Sequence, residues 1–335
     1  ISLSNISRAC ASRRFFSRKR RETQTRYGVS ERGGTLRAMG DIPWPFRSAD
    51  VLASGAISER RMRRLYRQLY PGVFVPRDAQ LSATERAVAA WHWSRRQGIV
   101  AGLSASALHG AKWIDGDRPA ELVFDNYRTP SGLTVHQDSL LANEITEVHG
   151  TNATTPARTA FDLGRRLTLG HAVERIDTLM NATGLTTPEV HAVLAGHPGV
   201  RGVVRLREVL ELVDAGAESP QETRTRLLLV RSGFPKPQTQ IRVLDRFGDF
   251  VARVDMGWED AKVGVEFDGA QHWTDPRQRS RDIDRAAALT DEGWTIIRVT
   301  SELLRHRPGT IVSRVDEALQ MASLRLTTVF PPKAS

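Results

Sequence analysis

The spacing of apolar residues is most regular in the last third of the chain. Ser219, Pro220 and Glu222 are typical of a helix start, with serine at the N-cap, proline in the first turn and glutamate completing a capping box, and Gly233 ends the helix. Three strand-like runs, a second helix, another strand and the start of a last helix follow. These predicted elements are Gln240–Leu244, Phe250–Trp258, Lys262–Asp268, Arg281–Glu292, Trp294–Val299 and the stretch from Ser301. This order predicts an α/β domain.

Alternation along two of these strands places acidic residues together. Glu266 and Asp268 share one face of their strand, and Asp255 falls opposite Val254 and Met256 on the preceding one. If the strands are neighbours, three carboxylates meet at a cost of several kcal/mol unless a cation neutralises them. A hard divalent ion also activates water for phosphodiester hydrolysis. The pattern therefore predicts Asp255, Glu266 and Asp268 as ligands of Mg²⁺ or Mn²⁺; the alternative is solvated acids at a strand end.

The N-terminal part has a different pattern. Ser48 is expected to cap a short helix over Ala49–Ala53, Ser58 to open a second helix over Glu59–Gln68, and a turn and strand to follow up to Pro76. Helix, turn, helix and strand is the order of a winged helix-turn-helix. The second helix is rich in arginine, at Arg60, Arg61, Arg63, Arg64 and Arg67. These side chains are expected either to contact DNA phosphates or to form a solvated face.

Residues 82–215 form a middle region with a mixed pattern. The predicted helices are Thr84–Gln97, Ala101–Gly110, Ala157–Leu167 and His171–Ala182, and the predicted strands are Ala120–Phe124 and Leu133–His136. His109 and His136 lack a second ligand at metal-type spacing, so we interpret them as packed or hydrogen-bonded histidines.

Composition narrows the possibilities. A chain of 335 residues predicts two or three domains. Its lone cysteine, Cys10, excludes a disulfide framework and a cysteine-based zinc site, and it favours a cytoplasmic location. No apolar run in the sequence is long enough for a membrane span. The net charge of +10 is uneven: ten of the 48 basic and two of the 38 acidic residues lie in residues 1–38, which leaves +8 there and +2 on the rest.

Residues 1–38 are expected to be a disordered basic extension, because they lack periodic apolar spacing. A nucleic-acid-binding tail and a targeting peptide are the alternatives to an upstream extension. The first well-patterned segment begins just after Met39, which favours the extension.

The N-terminal and middle parts resemble the AbiEi-like antitoxin family of abortive-infection regulators. The resemblance covers about residues 44–200 and is carried by the segments ADVLASGAISERRMRRLYRQLYPGVFVP, IVAGLSASALHGAKW and TTPARTAFDLGRR. It implies a winged helix at 44–80 followed by an α/β region at 82–215, a regulator or antitoxin function, and a partner toxin.

Residues 216–320 resemble a domain family related to very-short-patch-repair endonucleases, within the PD-(D/E)XK nuclease superfamily. The run VEFDGAQHW at 265–273 is the most specific part. The resemblance implies a restriction-endonuclease-like mixed sheet flanked by helices, over 216–322 with a disordered tail at 323–335. It also implies roles for individual residues: Asp255 and Glu266 as metal-binding acids, Asp268 at the position of the motif lysine, Glu222 as an acid on the first helix, His272 as a polar group beside the centre, and Gln240, Arg285 and Arg298 as further pattern positions.

The lysine of the superfamily motif is replaced by Asp268, so the sequence supports the nuclease fold more directly than the nuclease activity. Lys262 lies four residues before Glu266, about 13 Å away along a strand, so we expect Arg298 or His272 to be the better substitute. The leading hypothesis is a magnesium-dependent DNA endonuclease with a DNA-binding N-terminal domain. An antitoxin or transcriptional regulator with an inactive nuclease-like domain, and an interaction protein, are the alternatives. Residues expected to contact DNA are Arg60, Arg61, Arg64, Arg281, Arg285 and Arg298.

Overall fold

The computed structural model describes residues 42–126, 128–269 and 276–329, without the side chains of 276–281 and 325–329. The predicted extension at 1–38 and His272 lie outside the described residues. Within them, no helix is both long and apolar enough to cross a membrane.

The N-terminal part packs two short helices against a small sheet. Its elements are β1 (Phe46–Arg47), α1 (Ser48–Ala53), α2 (Glu59–Leu65), β2 (Tyr66–Tyr70) and β3 (Val73–Pro76), with the sheet order β1-β3-β2. The prediction of a helix as far as Gln68 is wrong, because Tyr66–Tyr70 pairs with β3 instead. Arg67 therefore lies on a strand and donates hydrogen bonds to the carbonyls of Arg77 and Ala79. The winged helix-turn-helix stays a prediction.

The middle region combines a mixed sheet with a helical layer. Its elements are α3 (Ala83–Trp93), β4 (Ile99–Val100), α4 (Gly102–Leu108), β5 (Ala120–Val123), β6 (Leu133–His136), β7 (Ile145–Val148), β8 (Thr151–Thr154), α5 (Pro156–Arg166), α6 (Leu169–Thr183), α7 (Thr187–Gly196) and α8 (Val203–Leu212). The sheet order is β6-β5-β4-β8-β7. Both histidines singled out in the sequence are hydrogen-bonded as expected, His109 to the Thr154 carbonyl and His136 to Glu121.

The C-terminal part is the predicted mixed sheet with helices on both faces. Its elements are α9 (Pro220–Arg231), β9 (Gln238–Leu244), β10 (Phe250–Trp258), β11 (Val263–Asp268), α10 (Pro276–Asp291), β12 (Thr295–Thr300), α11 (Ser301–His306) and α12 (Pro308–Val329). The sheet order is β12-β11-β10-β9, and β11 and β12 run parallel. Because α12 continues to Val329, residues 323–329 are helical and do not belong to the disordered tail predicted for 323–335.

A buried ion pair joins the middle region to the C-terminal part. Asp177 of α6 accepts hydrogen bonds from the Arg226 guanidinium at 2.6 Å and the Thr223 hydroxyl at 2.8 Å, both on α9. The Asp177 and Arg226 side chains are both fully buried. Nearby, Arg224 binds Glu174 of α6 through two hydrogen bonds. The helix that carries Glu222 is therefore anchored on a helix of the middle region.

Candidate functional site

Strand register places four polar residues in one row across the C-terminal sheet. The row consists of Gln240 on β9, Asp255 on β10, Glu266 on β11 and Arg298 on β12. Gln240 lies opposite Asp255 because the residues on either side of them pair, and the β10–β11 ladder, continued by one residue, puts Asp255 beside Glu266. The predicted neighbourhood of these two acids is present.

Strict alternation breaks at Asp255, contrary to the prediction. Val254 packs in the cluster that contains Leu289 of α10, whereas Met256 packs in the cluster that contains Leu229 of α9. The two side chains that flank Asp255 therefore lie on opposite faces of the sheet. Directly across, Gln240 has a left-handed backbone with φ of 54°. This local irregularity is what a regular two-residue period cannot predict.

Asp255 is a crowded carboxylate. Its Oδ2 accepts a hydrogen bond of 2.8 Å from the backbone N–H of Phe267. Burial is the main reason that the pKa of Asp255 rises to about 6, and the negative charges of Glu222 and Glu266 raise it further, against the hydrogen bond from Phe267 and the positive charge of Arg285. The carboxylates of Glu222 on α9 and of Glu266 on β11 thus both act on Asp255 of β10.

Glu266 is paired with a cation from the chain itself. The Arg285 guanidinium donates hydrogen bonds of 3.0 Å and 2.5 Å to the two carboxylate oxygens of Glu266, which is 9% exposed. It also donates a bond of 2.6 Å to the Arg253 carbonyl. The hydrogen bonding to Glu266, and then the negative charge of Glu266, raise the pKa of Arg285. The sequence predicts Arg285 as a DNA contact, and it does not reveal the contact with Glu266, because that contact depends on how α10 packs on the sheet.

Glu222 combines a structural contact with a place in the acidic centre. One carboxylate oxygen accepts a bond of 2.8 Å from the Ser219 hydroxyl, and the other accepts a bond of 2.9 Å from the backbone N–H of Glu218. This is a variant of the predicted capping box, since the N–H belongs to Glu218 and not to Ser219. Burial raises the pKa of Glu222, and the negative charge of Glu218 adds to the rise, against its hydrogen bonds and the positive charge of Arg253.

The amide of Gln240 adds an oxygen without a hydrogen-bond partner. Its Nε2 lies 3.5 Å from a Glu222 oxygen, and its Oε1 is buried with no partner among the described residues. A buried carbonyl oxygen without a donor is costly. Beside Glu222 and opposite Asp255, it is a group that a hard cation would satisfy.

The arrangement falls short of a formed metal site. Among the residues that the structure describes, no group of three or more His, Cys, Asp and Glu side chains is arranged to hold a metal ion. The donors are of the right type, since they are all oxygens, but Arg285 occupies both oxygens of Glu266. Asp268 lies two residues farther along β11, half-buried and paired with Thr300. Its role as a ligand, with Asp255 and Glu266, stays a prediction.

The remaining predicted residues are dispersed over the fold. Arg298 is exposed on β12, next to Glu266 in the register. On α2, Arg60 and Arg64 are exposed and Arg61 is half-buried. The side chain of Arg281 lies outside the described residues. Lys262 donates a bond of 2.7 Å to the Glu292 carbonyl, at the far end of β11 from Asp268, as its spacing from Glu266 predicts.

Comparison with known proteins finds matches for two parts of the chain. The family model REase_MTES_1575 matches residues 226–319, and the model of the AbiEi antitoxin C-terminal domain matches residues 98–212. Two uncharacterized proteins of Mycobacterium tuberculosis, from strains CDC 1551 / Oshkosh and ATCC 25618 / H37Rv, are each 31% identical over 197 residues, which make up 59% of this chain and 72% of theirs. The chain belongs to the family of these mycobacterial proteins. No solved structure matches it.

This member of the family thus joins an AbiEi antitoxin-like domain to a restriction-endonuclease-like domain, and both resemblances noted in the sequence are confirmed. The acidic row extends from Gln240 to Arg298 and lies within the matched range of the second domain, residues 226–319. Glu222 precedes that range by four residues, on the same helix as its first residue, Arg226.

Proposed function

We propose that this protein hydrolyses DNA phosphodiester bonds with the help of Mg²⁺ or Mn²⁺ held at Asp255 and Glu266. The observation that carries the proposal is the crowding of Asp255 between Glu222 and Glu266. Burial raises the pKa of Asp255 to about 6, and these two negative charges add to the rise. A fold tolerates such crowding at a cost, and a bound cation offsets that cost. The ion supplies Lewis acidity and a more acidic water molecule when it is bound.

The residues around the centre have different proposed roles, according to the chemistry of their side chains. Asp255 and Glu266 provide the anionic oxygens, and the Oε1 of Gln240 provides a neutral one. Asp268 serves as a further ligand or orients water from the end of β11. Arg285 keeps a positive charge at the centre; once Glu266 turns to the ion, the guanidinium is available to the phosphate and to the charge that develops on it.

DNA binding would draw on a second surface. The exposed Arg60 and Arg64 of α2 suit phosphate contacts, as does Arg298 beside the acidic row. The N-terminal part would then hold the duplex while the endonuclease-like domain acts on it.

A second candidate function is a DNA-binding antitoxin or regulator that does not cleave. The ion pair between Glu266 and Arg285 favours it, because the buried carboxylate is already neutralised by the chain. The aspartate at the motif lysine position, Asp268, favours it too. In this case the AbiEi antitoxin-like domain would bind a partner toxin, and the endonuclease-like fold would serve binding alone.

Cleavage of plasmid DNA and of mismatched duplexes, with Mg²⁺, Mn²⁺ or EDTA, separates the two. We expect cleavage by the parent protein with either ion, and loss of cleavage in Glu266→Gln. Glu259→Gln is the matched control, since Glu259 is an exposed glutamate of the same domain, and it should cleave like the parent. Equal cleavage by the parent and Glu266→Gln would refute the site. A DNA mobility shift without cleavage by any variant would favour the regulator.

A further inference from the structure

The hairpin between β9 and β10 carries exposed apolar side chains at its tip. Phe247 is 75% exposed, Phe250 58% and Leu244 48%. Single exposed apolar residues are ordinary, but three within seven residues on one projecting turn indicate a binding surface. None of these three residues belongs to the acidic centre.

The tip is held in a defined shape. Oδ1 of Asp245 accepts hydrogen bonds of 2.8 Å from the backbone N–H groups of Phe247 and Asp249, and the Asp245 N–H donates to the Asp249 carbonyl at 2.9 Å. Gly248 takes the left-handed conformation that this turn needs, with φ of 87°. The backbone that carries both aromatic rings is therefore a defined turn.

Each exposed ring is accompanied by an arginine. The Arg242 guanidinium lies 5.7 Å from the centre of the Phe250 ring, and that of Arg246 lies 4.8 Å from the centre of the Phe247 ring. Neither guanidinium is in an ion pair within the described part of the chain. Asp249 adds an exposed carboxylate, so net charge is a weaker argument here than the combination of flat rings with guanidinium groups.

The tip lies at the same end of the sheet as the acidic centre. Strand β10 starts at Phe250 and reaches Asp255 five residues later, about 16 Å along an extended strand. Because β10 is antiparallel to β11, its start is at the end of the sheet where β11 finishes with Asp268. One nucleic-acid strand advances about 3.4 Å per nucleotide, so a strand at the centre reaches the tip within about five nucleotides.

We propose that this tip binds an unpaired stretch of the nucleic-acid substrate, with bases stacked on Phe247 and Phe250 and with Arg242 and Arg246 on neighbouring phosphates. Stacking on aromatic side chains beside basic groups is how proteins bind single strands without reading sequence. Three side chains are too few for a stable protein interface, which takes about 800 Å² from each partner. The choice of nucleic acid as the occupant rests on the proposed function, and it makes a bubble, flap or frayed end the favoured substrate.

The test measures binding in EDTA, so that its outcome does not depend on cleavage. Fluorescence anisotropy compares a labelled oligo-dT strand with a blunt duplex, for the parent and for the double variant Phe247→Ala, Phe250→Ala. We expect the double variant to lose about tenfold or more in affinity for the single strand, since stacking contributes 5- to 150-fold per base, and to bind the duplex within about twofold of the parent. Replacing both residues by tyrosine should retain the parent affinity, and so should Leu244→Ala, which changes the same tip without removing a ring.

A base-stacking probe gives a second readout. The fluorescence of 2-aminopurine within the strand should be quenched by the parent and by the tyrosine variant, and not by the alanine variant. Equal affinity of the parent and the alanine variant for oligo-dT would overturn the proposal even if the protein cleaves DNA. A tip whose loss abolished only self-association, without affecting DNA binding, would also overturn it and would identify a second copy of the chain as the occupant. Loss of cleavage in Glu266→Gln with normal oligo-dT binding would leave the tip assignment standing.

Discussion

Replacing Asp255 with asparagine should stabilise the protein at neutral and alkaline pH in the absence of divalent cations. Burial, with the charges of Glu222 and Glu266, raises the pKa of Asp255 from the usual 3.8 to about 6, while Arg285 opposes the rise. Asparagine keeps an oxygen for the Phe267 N–H and removes the charge. The gap between 3.8 and about 6 corresponds to about 3 kcal/mol, which is the upper limit of the gain.

The sign of the pH dependence follows from the direction of the shift. The folded state binds the Asp255 proton more tightly than the unfolded chain does, so the contribution of this group to stability is full below pH 3.8 and is lost as the pH rises through about 6. The difference between Asp255→Asn and the parent should therefore be close to zero near pH 4, grow between pH 4 and 6, and stay constant above.

Urea unfolding in EDTA at several pH values measures this difference. Asp260→Asn is the matched control, because Asp260 is exposed on the loop after β10 and should leave stability unchanged at every pH. Adding Mg²⁺ at a hundredfold excess over its dissociation constant should stabilise the parent by about 2.7 kcal/mol and should not stabilise Asp255→Asn. A parent protein that is more stable than Asp255→Asn at pH 8 in EDTA would refute the idea of a crowded, buried carboxylate.

Two further predictions concern regions outside the acidic row. Asp177→Ala leaves the Arg226 charge buried without its partner, so it should lower the free energy of unfolding by about 3–5 kcal/mol in urea denaturation. The control Glu208→Ala, an exposed change on α8, should lower it by less than about 0.5 kcal/mol. Equal effects of the two changes would contradict the importance of the ion pair. Arg60→Ala with Arg64→Ala should weaken duplex binding at low salt and lower the slope of log affinity against log salt by about 2, and an unchanged slope would place DNA elsewhere.

Elements with strong local signals were predictable from the sequence. The bounds of β10 are those expected, and α9 begins at the serine and proline that mark its start. The end of α2 was not predictable, because Tyr66–Tyr70 leaves the helical path only to pair with β3. Strands β4, β7 and β8 have two to four residues each and are defined by their partners in the sheet, which a pattern of single residues does not reveal.

The acidic centre was predictable in part for the same reason. The positions of Asp255 and Glu266 on two successive predicted strands can be read from the sequence, and the antiparallel pairing of those strands brings the two residues together. The break in alternation at Asp255, the unpaired oxygen of Gln240 and the anchoring of α9 on α6 all depend on contacts between distant segments. Local spacing carries no information about them.

Arg285 supplies a positive charge next to Glu266, where the motif lysine is absent. The resemblance places a cationic side chain two residues after Glu266, where this chain has Asp268, and that exchange alone would leave the centre with excess negative charge. Arg285 restores a positive charge from α10, at 2.5 Å from Glu266. It is 32% exposed, so it can leave without opening the core. Arg285 thus supplies to Glu266 the positive charge that an ion would supply in the proposed function, and an ion that binds Glu266 would have to displace these two hydrogen bonds. In the proposed function, competition between Arg285 and a divalent cation for the Glu266 carboxylate decides whether the protein cleaves DNA.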